Sequence, residues 1–168
     1  QRLAHGITFK PDGTKMFVVG KTQNKIFEFD LSTAFDISTA TISSNEYDHG
    51  LEDDDPTDIK FNSDGTKMYV IGSSANRIIQ YTLSTPFDIS EATLLAGSFC
   101  AEGIPDDGLK AIFNSDGTKF FIVDDSTQDV SILTLTTAYD ISTCSNTGSK
   151  DFGTTNLRDL KFSNDGKK

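Results

Sequence analysis

Along the chain, apolar positions come in short runs separated by polar turns, and one order of runs returns several times. ITFKPDGTKMFVVG at 7–20 recurs as IKFNSDGTKMYVIG at 59–72 and AIFNSDGTKFFIVD at 111–124, and LKFSNDGKK at 160–168 begins it again. Phe9, Phe61 and Phe113 are spaced by 52 residues, and Phe162 follows after 49. The second half repeats too, as IFEFDLSTAFDISTAT at 26–41, IIQYTLSTPFDISEAT at 78–93 and VSILTLTTAYDISTCS at 130–145. Aligning 7–41 with 59–93 gives 20 identities in 35 positions, which marks tandem copies of one supersecondary unit.

Each unit reads as four strands. A run ending in Phe leads into D-G-T-K, where Asp caps the turn with its own carboxylate and Gly accepts a positive φ. The pairs Asp12–Gly13, Asp64–Gly65 and Asp116–Gly117 are therefore hairpin residues. The run that follows, such as Met16–Val19, is apolar without alternation, so both of its faces are expected under cover. A third strand is predicted at 26–31, 78–83 and 130–135, and a weaker fourth at 40–44 and 92–96, suited to a solvated outer edge. In the nearly invariant connection, Phe35, Phe87 and Tyr139 are expected to fold back under the sheet, with Asp36, Asp88 and Asp140 in Asx-type turns.

Four antiparallel strands in about 50 residues make one blade of a β-propeller. The expected fold is all-β: four-stranded antiparallel blades over residues 1–168, with units at about 7–58, 59–110 and 111–159 and the start of a fourth at 160–168. The D-G-T-K-[MF]-[FY]-[VI]-[VI]-G motif resembles blades of YVTN- and NHL-type propellers. The appended L-S-T-x-F-D-I-S is similar to repeats of marine phage virion proteins and secreted bacterial proteins. That likeness implies the fold over essentially the whole chain; for function it implies little, because such propellers host lactonases, lyases and binding modules alike. Three units and a beginning do not close a ring of four to eight blades. The expectation is an excerpt of a longer ring, with pairing of chains as the other possibility; further blades then come from the same chain or from another.

Composition narrows the chemistry. Asp outnumbers Glu 20 to 5 and Ser plus Thr total 37, which favours turns over helix interiors. The formal charge of -10 argues against a nucleic-acid partner, and no apolar run approaches the roughly 18 residues of a membrane helix, so no membrane insertion is expected. The densest acidic stretch includes Asp53, Asp54, Asp55 and Asp58, whose oxygens offer a place to a divalent cation such as Ca²⁺; the alternative is a solvated, like-charged loop. His5 and His49 read as turn histidines, and Cys100 and Cys144 as two free thiols near opposite rims of adjacent blades. Tyr47, Phe99 and Phe152 lie in variable connections and are candidates for contact with a protein or glycan partner.

The functional expectation is a non-catalytic structural or recognition module of a virion or extracellular protein, with rim loops presented to its partner. The alternative is a metal-dependent propeller hydrolase or lactonase with an ion in the central channel. Three positions before each repeated Phe, where inner strands converge on such a channel, stand Gly6, Asp58, Lys110 and Asp159.

Overall fold

The computed structural model of the chain describes residues 4–20, 25–48, 54–101, 104, 108–124, 126–153 and 157–163. Among them are twelve strands in three four-stranded antiparallel sheets and no α-helix. The first sheet is β1 (Ala4–Phe9), β2 (Lys15–Gly20), β3 (Lys25–Leu31) and β4 (Ala40–Asp48). The second is β5 (Pro56–Phe61), β6 (Lys67–Gly72), β7 (Arg77–Leu83) and β8 (Ala92–Cys100). The third is β9 (Gly108–Phe113), β10 (Lys119–Asp124), β11 (Asp129–Leu135) and β12 (Cys144–Asp151). Strand order follows the chain in every sheet, so each is a blade-like meander. Of the first strands, β5 lies between β1 and β9, and the three form the inner layer.

The repeated turns have one construction. The Asp12 carboxylate accepts the Thr14 N–H at 2.9 Å and its hydroxyl at 2.6 Å, and Asp64–Thr66 and Asp116–Thr118 do the same. Gly13, Gly65 and Gly117 take φ of +73°, +74° and +71°. The ring of Phe35, Phe87 or Tyr139 lies where a Cβ would stand, at 2.4, 2.1 and 2.3 Å, so only glycine fits beneath it. Those aromatics are themselves left-handed, at φ 61°, 59° and 58°, and each donates its N–H to the carbonyl of the glycine it covers. Asp36, Asp88 and Asp140 then cap short 3₁₀ turns by accepting the N–H and hydroxyl of Ser38, Ser90 and Ser142. The aromatic fold-back and the Asx turns stand as the repeat implied.

Between blades, the second strand serves two seams at once. In β6, Met68 and Val70 enter the core shared with the first blade, while Tyr69 and Ile71 enter the core shared with the third. That division explains the unbroken apolar run. An aromatic pair recurs at each seam: Phe17 on Phe61 at 4.6 Å, Tyr69 on Phe113 at 4.8 Å, Phe121 on Phe162 at 5.2 Å. Residues 157–163 lie against the third blade, leaving an apolar hollow of about 500 Å³ lined by Phe121, Ile132, Phe152, Leu160 and Phe162. The fourth strands β4, β8 and β12 are mostly exposed, as expected of outer edges.

The cysteines correct the expectation of free thiols. Cys100 and Cys144 form a disulfide, their Cα atoms 6.1 Å apart. The β8 strand runs to Cys100, and the 3₁₀ turn Ile141–Thr143 packs against β8. The right-handed twist of the sheet swings the far end of one outer strand over the start of the next, so sequence-equivalent heights are not spatial heights.

Candidate functional site at the axis

The inner strands crowd where they meet. A Cβ on Gly6 of β1 would stand 2.8 Å from the Asp58 Cα of β5, so this close backbone approach depends on glycine. Asp58 is almost fully buried, at 1% exposure. Its Oδ1 accepts the Ile59 N–H at 3.0 Å and its Oδ2 the Ala111 N–H of β9 at 3.1 Å. Lys60 lies 2.9 Å from Oδ2 and Lys110 3.8 Å from Oδ1. Lys110 itself spans three blades: its ammonium donates to the Thr57 carbonyl at 3.0 Å and to the His5 carbonyl.

Above this knot opens a hollow of about 360 Å³ lined by Ala4, His5, Thr57, Lys110 and Arg158. Each blade supplies part of it, and Arg158 comes from the segment that follows the third. His5 Nδ1 lies 3.8 Å from Asp55 Oδ1. The arrangement brings an imidazole, a fixed ammonium and a guanidinium to one cavity, the ingredients of proton transfer and of stabilising negative charge.

Of the residues expected to hold a metal, Asp54, Asp55 and Asp58 are described. Asp53 lies outside the described residues, as does His49. The Asp54 N–H donates to the Ser74 hydroxyl, and the Asp55 carbonyl accepts the Ser73 N–H, so this connection is tied to the neighbouring loop. Both Asp58 oxygens are taken by backbone N–H groups and flanked by two ammonium groups, an environment that does not suit a divalent cation. Among the described residues no three His, Cys, Asp or Glu side chains group together as ligands. On the same rim, burial pushes the Asp124 carboxyl up, but hydrogen bonds from Ser126 and Thr127 outweigh it and hold it below the usual range.

The aromatic candidates separate. Tyr47 is half-buried in a seam, edge-on to Tyr81 at 5.0 Å. Phe99 is exposed, with the Arg77 guanidinium 5.8 Å from its ring centre. Phe152 is exposed beside the apolar hollow of the third blade. His5, Lys110 and Arg158 were not expected to share a site. The available signal was positional: His5 and Arg158 stand four residues before a repeated Phe, Lys110 three.

The fold has solved counterparts. A candidate 6-phosphogluconolactonase from Bacteroides uniformis superposes with a TM-score of 0.72 at 14% identity, covering 99% of this chain and 46% of that one. The periplasmic gluconolactonase of Pseudomonas aeruginosa gives 0.68 at 14%, over 98% and 45%. The β-propeller domain of Swd1 from Myceliophteria thermophila gives 0.57 at 10%, over 90% and 44%. The chain spans three blades of a β-propeller. It covers less than half the length of these structures, and at such identities the likeness shows the fold alone. No family model and no curated protein matches the sequence. The expectation of a non-catalytic module, with the enzyme question left open toward no, is corrected here: several of the similar structures bear lactonase names, and the axial hollow carries reactive side chains. The enzymatic alternative is the one carried forward.

Proposed function

We propose that the chain is part of a propeller hydrolase that opens lactones in its central channel. The observation that carries this reading is the axial hollow where His5, Lys110 and Arg158 converge from different blades. His5 accepts a proton from water, with Asp55 placed on its Nδ1 side. The water oxygen attacks the lactone carbonyl, and the ammonium of Lys110 faces the negative charge that develops on the carbonyl oxygen. Two backbone carbonyls hold that ammonium in advance, so it needs no reorganisation as charge builds. The ring C–O bond then breaks, the leaving alkoxide takes the proton from His5, and a hydroxy acid is released.

Closure of the channel by further blades belongs to this reading, supported by the apolar face that the first blade leaves open. An extracytoplasmic location belongs to it as well. The Cys100–Cys144 disulfide supports an oxidising compartment, and one of the similar structures is named as periplasmic. The test is a pH-stat assay of glucono-δ-lactone and its 6-phosphate against the spontaneous rate in buffer. Acceleration that falls in Lys110→Met supports the reading; rates equal to buffer for both lactones reject it.

A further inference from the structure

Away from the axis, one position of the repeat forms a hollow beside the outer strand, and the blades line it differently. In the third blade it measures about 390 Å³, with Ile104, Thr127, Asp129, Ser131, Asn146 and Ser149 in its wall. In the second blade a hollow of about 310 Å³ has Arg77, Ile79, Leu94 and Phe99 there. The pairing register equates them: Ser131 faces Ser149 across β11 and β12 as Ile79 faces Phe99 across β7 and β8. Ser131 thus stands where the first and second blades bury Phe27 and Ile79. It is 8% exposed, and among the described residues its hydroxyl has no hydrogen-bond partner. A buried hydroxyl left unpaired costs free energy that an apolar side chain would not, and a ligand that bonds it removes that cost.

The neighbouring groups say which ligand. Asp124 is spent on Ser126 and Thr127. Asp129 Oδ2 accepts the Ser149 hydroxyl at 3.0 Å, and among the described residues its Oδ1 stays open. One open carboxylate oxygen falls short of the roughly six to eight oxygens that Ca²⁺ takes, and the acidic wall repels anions. An ammonium only donates, so it leaves the Ser131 proton unanswered. A sugar hydroxyl both donates and accepts, which matches an open carboxylate oxygen beside a free hydroxyl. Ile104 adds an apolar wall for the C–H face of a ring.

We infer that this hollow of the third blade binds a neutral sugar unit of a glycan, Asp129 accepting from one ring hydroxyl and Ser131 bonding the next. It shares no described lining residue with the axial hollow and does not rest on the lactonase reading. The test is titration of the 168-residue chain with the methyl glycosides of glucose, galactose, mannose, xylose and N-acetylglucosamine. Backbone amide resonances of Thr127, Ser131 and Ser149 are followed. Saturable shifts there with at least one glycoside are expected. Ser131→Ile installs the second blade's own residue, so it should unfold at the same urea concentration or higher while the shifts at Thr127 and Ser149 vanish. Asp129→Asn keeps the shape and should weaken binding about tenfold, the loss of a charge-assisted contact. Leu95→Ser, in the second blade's hollow, should leave affinity unchanged. Calcium chloride and methylammonium chloride form parallel arms, and saturation by either without any glycoside binding assigns the hollow to a cation and overturns the sugar site. No saturable shift with any of the glycosides, or equal affinity in the parent chain and Ser131→Ile, overturns it as well.

Discussion

The first and second blades share most of their sequence and differ sharply in what it does. Ile7, Phe35 and Ile37 are 54%, 59% and 67% exposed, whereas their counterparts Ile59, Phe87 and Ile89 are 0%, 7% and 0%. The backbone is the same in both: the same turn, the same left-handed aromatic, the same 3₁₀ cap. Local structure therefore comes from the repeat, while burial comes from the blade in front. The second blade has one; the first shows an apolar face instead. A blade is a folded element before it is a stable one, and its stability belongs to the seam.

Unequal seams give the largest expected contrast. Ile89→Ala should destabilise the chain by about 2–5 kcal/mol through lost burial and a cavity, and Ile37→Ala by less than about 0.5 kcal/mol. Urea unfolding of the two variants checks this, and equal costs would break the comparison.

The second seam differs from the first in being covalent. Cys100 and Cys144 close a loop of sequence separation 44, whereas the first seam has Tyr47 against Tyr81 and Ala92 at the matching places. By loop-closure entropy the crosslink contributes up to about 4 kcal/mol. Replacing both cysteines by Ala should lower the urea midpoint accordingly. If the midpoint does not move, the disulfide adds nothing to the seam.

The turn carboxylates sharpen the comparison from the other side, since they ignore neighbours. Asp12 is held below the usual carboxylate range by hydrogen bonds from Lys10 and Thr14, Asp64 by those from Thr66, and Asp116 by those from Thr118. A carboxyl whose folded value is depressed stabilises the fold above its ordinary value near 3.9 and loses that contribution as pH falls through the folded value. Melting temperature should therefore drop below about pH 4, and Asp64→Asn and Asp116→Asn should flatten that drop alike. A drop that either variant leaves unchanged would show that its turn is not the source.

What the sequence made legible follows the same division. Strands, glycine turns and Asx caps repeat at fixed spacing, so each copy vouches for the others. The disulfide was not legible, because aligning Cys144 with Ala92 places it at the foot of a strand, and only the twist carries Cys100 there. At the axis, Asp58 and Lys110 stood out by register, but His5 and Arg158 did not, since no two units carry the same residue at that position. Repetition discloses architecture; chemistry sits where the repeat is broken.

The central claim is that residues breaking the repeat at the axis perform hydrolysis, and His5 tests it most directly. Against glucono-δ-lactone in a pH-stat, His5→Asn should lose about a hundredfold or more in kcat while unfolding at the same urea concentration as the parent chain. Equal kcat in parent and variant would contradict the account.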